Sequence, residues 1–128
     1  MAVSAYTYGK ANENAFKGNV NDLSSTATEV YCALLTTAYT PSQTTDDNWT
    51  DVSTAESTGT GYTSGGDEIT TKTLAASSSD GTTIFDGDNV SWTSSTITAR
   101  YAAIYDNTST ADASKKLLSY VDFGENKS

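Results

Sequence analysis

The apolar residues of this chain are gathered into short runs, separated by polar segments of turn-forming residues. The strongest run covers residues 28–39, where an extended backbone would place Val30, Cys32 and Leu34 on one face. Its composition would also allow a helix, but the run is short, β-favouring at both ends and stopped by Pro41. A buried strand is therefore predicted, with Cys32 as an inert core residue because no positive charge lies near it in sequence.

The second half of the chain repeats this pattern of short β-favouring runs and turns. Asp80-Gly81 is a typical hairpin signal, and residues 86–89 form a second predicted turn. Residues 47–52 could form one helical turn capped by an Asp. Strands are predicted at residues 69–74, 82–85, 96–105 and 115–123, with another beginning at 90–92. Six or seven such strands predict an all-β fold, a single β-sandwich of jelly-roll or immunoglobulin-like type over residues 28–125.

The two ends of the chain lack this pattern. Residues 1–27 are polar, with isolated apolar positions and no sustained period, and are expected to form an irregular N-terminal arm. One short strand at residues 18–23 is an option, and a frayed terminus is the open alternative. Residues 126–128 read as a polar tail. The aromatic residues of the arm, Tyr6, Tyr8 and Phe16, are candidates for contact with a partner.

Composition narrows the possible functions. Forty of the 128 residues are Ser or Thr, the net charge is -9, and the chain has no His and one Cys. The absence of His excludes a Ser-His-Asp triad and imidazole ligands, and a single Cys excludes an internal disulfide or a thiolate zinc cluster. The negative charge disfavours nucleic acid, and no run is long enough to span a membrane. No secretory signal is visible, so synthesis and folding in a reducing cytoplasm are expected.

Low hydrophobicity with negative charge is also the signature of disorder. The 8 Tyr, 3 Phe and 2 Trp residues argue against disorder for most of the chain. Trp49 is expected to cover one end of the core, with contact to a partner as the alternative. Trp92 is expected in the strand that begins at residue 90, as a structural residue of the β-domain, and Tyr62 would lie across the sheet.

Four glycines crowd around Tyr62. No Lys-Ser or Lys-Thr pair follows them, so a phosphate-binding loop is not indicated. Positive φ angles and bulges beside a strand are the structural interpretation. These glycines are Gly59, Gly61, Gly65 and Gly66.

The charged residues offer few candidates for chemistry. Asp86 and Asp88 alternate in a turn as ligands of Ca²⁺ would, but the full calcium-loop pattern is missing and plain turn residues are the stronger interpretation. Arg100, the single Arg, lies in the longest β-favouring run and is expected to pair with Asp88 or Asp122. A bridge between subunits is the alternative role for Arg100. No catalytic residue, metal or cofactor is predicted.

Five blocks of sequence in a fixed order support a family resemblance. They are LLTTAYTP (34–41), GTGYTSGG (59–66), DGDNVSWT (86–93), STITARYAAIYD (95–106) and LLSYVDFG (117–124). The chain resembles a family of small virion structural proteins of tailed bacteriophages over residues 28–125. The arm, residues 1–27, lies outside the resemblance.

The resemblance implies a non-enzymatic building block on the surface of the phage particle. Small β-domains on icosahedral shells are often trimers that clamp neighbouring subunits, so the expected partners are the major capsid protein and further copies of this chain. A capsid decoration or cement protein is the leading interpretation. The alternatives are a tail, neck or fibre component with Trp49 and Tyr62 in a receptor patch, and a carbohydrate-binding module. That module would use Trp49 and Trp92, with a cation at Asp86 and Asp88.

Overall fold

A computed structural model describes residues 2–128, and strands dominate its regular structure. One α-helix and three short 3₁₀ helices, at Trp49–Asp51, Ser53–Ala55 and Asp112–Ser114, accompany the strands. The other elements are β1 (Ser4–Thr7), α1 (Gly9–Phe16), β2 (Val30–Leu35), β3 (Asp67–Glu68), β4 (Thr73–Ala76), β5 (Thr83–Asp86), β6 (Ala99–Asp106) and β7 (Leu117–Lys127). The all-β class is confirmed in this coarse form.

The strands form two sheets of very different size. The main sheet is antiparallel and has the order β1-β7-β6-β2-β3, whereas β4 and β5 pair only with each other. Strands β2 and β6 pair in register from Val30 opposite Asp106 to Leu35 opposite Tyr101. Among residues 2–128 there is no helix with the length and apolarity needed to cross a bilayer.

Apolar clusters cover both faces of the main sheet, and this explains the nearly continuous apolar sequence of β2. Cys32 and Leu34 share one face with Ala102, as the alternation predicted, and Ala33 and Leu35 point to the other. The larger cluster lies under α1 and the two 3₁₀ helices of residues 49–55; it contains Tyr8, Ala33, Leu35, Tyr39, Trp49, Val52, Ala103, Tyr105, Leu117 and Tyr120. The smaller cluster contains Leu34, Ile97, Ala99 and Ala102, with Tyr62 and Trp92 packed against it.

The N-terminal residues are more ordered than the expected irregular arm. Strand β1 pairs with β7, from Ser4 opposite Asp122 to Thr7 opposite Ser119, and α1 follows it. Tyr8 is fully buried, and its hydroxyl lies 2.6 Å from the hydroxyl of Tyr39. The optional strand at residues 18–23 is not formed. Long-range contacts therefore order a segment whose own pattern is too short and polar to predict it.

Four further expectations are corrected by the structure. Residues 90–92 lie in no strand. Of the expected strand 69–74 only Thr73 and Leu74 are in a strand, as the start of β4; residues 69–72 lie in none, and Thr71 has a φ of 51°. Strand β7 continues through the expected tail, because Lys127 pairs with Ala99. The helical turn at residues 47–52 is present, but its cap is Asn48, whose side chain accepts from the Thr50 amide.

Candidate interaction surfaces

The hairpin formed by β4 and β5 projects from the body of the protein. All four residues of β4 and three of the four in β5 are exposed, and Phe85 is half-buried. Leu74 is 41% exposed and Ile84 is 54% exposed, on opposite faces of the two-stranded ribbon. Within residues 2–128 no strand pairs with the outer edge of β4 or β5. The hairpin therefore presents two unpaired strand edges and two partly apolar faces to solvent.

The base of the hairpin is tied to the chain that enters it. The Asp88 amide donates to the Thr70 carbonyl at 2.8 Å. The Thr70 and Thr71 hydroxyls donate to Oδ2 of Asp88 at 2.9 and 2.6 Å. These bonds connect the two ends of the hairpin where it leaves the body of the protein. They anchor its base, although the residues of its two faces are exposed.

Asp86 and Asp88, the two carboxylates considered as calcium ligands, accept hydrogen bonds from the protein itself. The Thr71 and Thr70 hydroxyls hold the pKa of Asp88 below its usual value, as hydrogen bonds to a carboxylate do. Asp86 accepts from the Gly87 amide next to it. The described part of the chain holds no group of three or more Cys, Asp or Glu side chains arranged for a metal. Asp86 is the last residue of β5 and Asp88 lies in the irregular segment after it, so the second turn expected at residues 86–89 is not formed.

Negatively charged side chains greatly outnumber positively charged ones. Within residues 2–128, all seven Lys and Arg side chains form ion pairs, and together they use six carboxylates. The other ten of the sixteen Asp and Glu residues form no ion pair with Lys or Arg in that part of the chain. The pairs are Lys10 and Lys17 with Glu13, Lys72 with Glu68, Arg100 with Asp122, Lys115 with Asp112, Lys116 with Asp47, and Lys127 with Glu125. Asp80, Asp86 and Asp88 of the hairpin region are among the unpaired ones. Residues 73–99 contain no Lys or Arg.

Arg100 pairs with Asp122, one of the two carboxylates expected from the sequence. Its Nε and Nη2 donate to Oδ1 and Oδ2 at 2.7 and 3.2 Å, a two-point contact between β6 and β7. The pair lies where the register of these strands shifts, between Ala99 and Tyr101. In this structure the ion pair of Arg100 is therefore formed within the chain and does not bridge two subunits.

The second surface is an open cleft beside the main sheet. It has a volume of 660 Å³ and lies between the glycine-rich loop, residues 91–93 and residues 107–115. Trp49 and Tyr105 line it but are buried, with their rings stacked 4.4 Å apart at 14°, so they form its floor. Tyr31 and Trp92 line it and keep partial exposure.

Close approaches of the backbone shape the glycine-rich loop. At Gly66, φ is +85° and an added Cβ would lie 2.0 Å from the Cys32 carbonyl oxygen. Tyr62 lies across the sheet: its hydroxyl accepts from the Leu34 amide at 3.0 Å and donates to Glu56 at 2.9 Å. The Tyr105 hydroxyl donates to the Gly65 carbonyl at 2.7 Å. The loop is thus fixed to the sheet and to the cleft floor.

The remaining structural glycines act in the same region. An added Cβ at Gly59 would lie 2.0 Å from the Thr96 carbonyl oxygen, and Gly61 has a φ of +78°. An added Cβ at Gly61 would lie 3.1 Å from the Ser95 Cα, which is closer than ordinary van der Waals contact. Both hold residues 94–97 against the loop.

The five aromatic interface candidates divide into buried and accessible residues. Tyr8 and Trp49 are core residues, only 0% and 5% exposed, and neither can touch a partner in this conformation. Tyr62 is half-buried and held by its hydroxyl. Tyr6 stacks on Tyr120 at 5.0 Å but stays 41% exposed, and Phe16 is 92% exposed. The local sequence around these residues does not distinguish the two groups.

Burial of the lone thiol bears on reactivity. Cys32 is half-buried between strands, and burial raises the pKa of its thiol to about 11. The thiol is therefore protonated at neutral pH and is a poor nucleophile.

Comparison with known proteins adds no relative: no family model, curated protein or solved structure matches the chain.

Proposed function

We propose that this chain is a non-enzymatic structural protein of a tailed-phage particle, which binds the outside of the head and bridges capsid subunits. The five sequence blocks support the family, and the projecting hairpin is the observation that carries the attachment role. The partner is then the major capsid protein, and the location is the surface of the virion, after synthesis in the host cytoplasm.

The hairpin supports an attachment role because most of its residues are exposed and its outer strand edges pair with no other strand of the described chain. Two-stranded hairpins are at best marginally stable alone in water, and unpaired strand edges invite pairing with other chains. Neither β4 nor β5 carries the Lys or Pro residues that commonly protect such edges. A strand added from a partner would satisfy the free backbone groups, and pockets for Leu74 and Ile84 would supply specificity.

Charge selects the kind of partner. The hairpin region carries Asp80, Asp86 and Asp88 and no cation, so a complementary surface needs Lys or Arg. A second copy of this chain is a poor occupant, because all of its Lys and Arg side chains are already paired with its own carboxylates. The proposed occupant is therefore a different protein, with an apolar strand edge flanked by cations.

Two expectations remain part of the proposal. A homotrimer would have to form through a surface other than the hairpin, and light scattering that gives three times the chain mass would support it. The jelly-roll or immunoglobulin-like sandwich is supported by the number of strands, and partner strands added to β4 and β5 would enlarge the second sheet.

The decisive experiment uses expanded heads assembled from the encoding phage genome with the gene for this chain deleted. We expect purified protein to co-sediment saturably with these heads. The double variant Leu74→Glu/Ile84→Glu should bind at least about tenfold more weakly, equivalent to about 1.4 kcal/mol. Thr37→Glu/Ala38→Glu is the matched control, because it adds the same two negative charges at exposed positions outside the hairpin and should bind as the wild type does.

The outcomes separate the two parts of the proposal. Failure of the wild type to bind heads overturns the head role, and immunogold labelling of the tail would favour the tail or fibre alternative. Wild-type binding that the hairpin variant leaves unchanged overturns the hairpin as the contact.

A further inference from the structure

The cleft beside the glycine-rich loop has a lining that the attachment role does not use. Both tryptophans of the chain, Trp49 and Trp92, line it, although they are 43 positions apart in sequence. Its volume of 660 Å³ lies within the range of about 300–1,000 Å³ typical of small-molecule sites. Asp86 and Asp88 do not line it, so a cation at those residues has no part in this site.

The lining excludes several ligand classes by its chemistry. Lys115, the single cation of the lining, lies 2.7 Å from Asp112, so no free positive charge is available for a phosphate or another anion. No three metal-ligating side chains meet anywhere in residues 2–128. The aromatic floor is buried, and hydroxyl, amide and backbone groups make up most of the walls, which leaves little for a wholly apolar ligand.

What remains suits a neutral molecule with many hydroxyl groups. The side chains available for hydrogen bonding are Thr63, Asp67, Ser91, Thr93 and Asn107; Ser64 also lines the cleft, but its hydroxyl already donates to Glu56. Asp67 is exposed and lies in no ion pair with Lys or Arg, so it can accept from a ligand hydroxyl in a strong, charge-assisted hydrogen bond. Trp92 and Tyr31 offer partly exposed aromatic rings against which the C–H face of a sugar ring can pack.

The cleft is also rigid before any ligand binds. The Trp49–Tyr105 stack fixes its floor, and the bond from Tyr105 to the Gly65 carbonyl holds the glycine-rich loop at its edge. Glu56 accepts from the Ser64 hydroxyl at 2.9 Å and from the Gly65 amide, which holds the same loop from behind. A preformed site avoids the entropic cost of ordering loops around a ligand.

We infer that this cleft is a binding site for a neutral saccharide, with Asp67 accepting from ring hydroxyls and Trp92 packing against the ring. The inference does not depend on attachment to a phage head, since the hairpin and the cleft share no residues.

The test uses the intrinsic fluorescence of the full chain, because both tryptophans report on the cleft. The probes are glucose, galactose, N-acetylglucosamine and their short oligosaccharides, with inorganic sulfate as an anionic control. We expect a saturable change in emission with at least one saccharide, confirmed by calorimetry, and none with sulfate. Silence across the saccharide panel, or saturable binding of sulfate alone, overturns the inference.

Variants locate the binding. Asp67→Asn should weaken the responsive saccharide about tenfold, and Thr63→Phe should abolish its binding by filling the cleft; both positions are exposed, so folding should be retained. Ile84→Ala, on the hairpin, is the matched control and should bind as the wild type does. Calorimetric affinities that none of these variants changes would place the saccharide elsewhere and overturn the assignment.

Discussion

Two strand pairs of this protein differ in burial. Strands β2 and β6, at the centre of the main sheet, are largely buried, whereas the hairpin strands β4 and β5, which also contain apolar residues, are largely exposed. In the central pair, Ala33 and Ala103 are fully shielded and aromatic side chains close over both faces. In the hairpin, Leu74 and Ile84 stand in solvent. Both regions form regular antiparallel ladders, so extended backbone and burial are separate properties in this chain.

The difference in burial indicates that the two strand pairs contribute differently to folding stability. Burial on two faces makes the central strands the source of folding free energy, since apolar area removed from water is the main stabilising contribution. The hairpin contributes little to that burial, and its apolar residues are available to a partner. Substitutions in the two regions should therefore move different observables: stability in the first and binding in the second.

The largest expected effect contrasts two leucines. Leu35 is fully buried in β2, so Leu35→Ala should lower the free energy of unfolding by about 2–5 kcal/mol through lost burial and a cavity. Leu74→Ala, the same change on the exposed hairpin, should cost no more than about 0.5 kcal/mol. Urea unfolding of both variants provides the measurement. Equal losses would mean that the hairpin belongs to the cooperative core.

A smaller effect is expected from two glycines with similar backbone angles. Gly66 has a φ of +85° beside the Cys32 carbonyl, whereas Gly81 has a φ of +71° in the hairpin turn with no atom within 4 Å of an added Cβ. Gly81→Ala should cost at most the strain of a left-handed residue, about 1–2 kcal/mol. Gly66→Ala should cost more, because the loop or β2 must also move.

Thermal or urea unfolding of the two glycine variants measures the comparison. If Gly81→Ala proves as costly as Gly66→Ala, the close approach of the loop to β2 has no energetic consequence, and the glycine-rich loop is less firmly fixed than its geometry indicates.

The smallest effect concerns acid stability. Burial alone would raise the pKa of Asp106, but hydrogen bonds from Thr108 and Asn21 outweigh burial and leave it below its usual value. Its stabilising contribution is thus complete above the unfolded-state pKa of about 4 and is lost as the pH falls through the lower folded-state pKa. Asp106→Asn should flatten the acid side of the stability profile below about pH 4.

Asp80 supplies the matched comparison in the hairpin. Hydrogen bonds from Thr82 and Ser77 lower the pKa of Asp80 to about 2, but it is fully exposed in the turn. Asp80→Asn should leave the acid side of global unfolding unchanged, because opening the hairpin need not open the main sheet. A flattening as large as that of Asp106→Asn would show that the two regions unfold together.

Local pattern was a good guide to the elements that lie close together in sequence. The run at residues 28–39 contains β2, Asp80-Gly81 lies in the hairpin turn, and Arg100 has a carboxylate partner in β7. It was a poor guide where contacts are distant. Strand β1 exists because β7, more than 100 positions later, provides its hydrogen-bond partners. The candidate sites follow the same rule: the hairpin turn was visible in the sequence, but the exposure of its two faces and the shape of the cleft that Trp49 and Trp92 line were not.

The sequence by itself determined the β-rich backbone, the excess of negative charge and the absence of imidazole chemistry, because these depend on residue type and spacing within a few positions. The tertiary structure alone decided which aromatic residues are buried, as the contrast between Tyr8 and Phe16 demonstrates, and that each Lys and Arg side chain within residues 2–128 is paired with a carboxylate of the same chain. It also decided that one strand pair lies in the core and the other outside it. Burial is a property of what packs against a residue, and for most of this chain the packing partner lies far away in sequence.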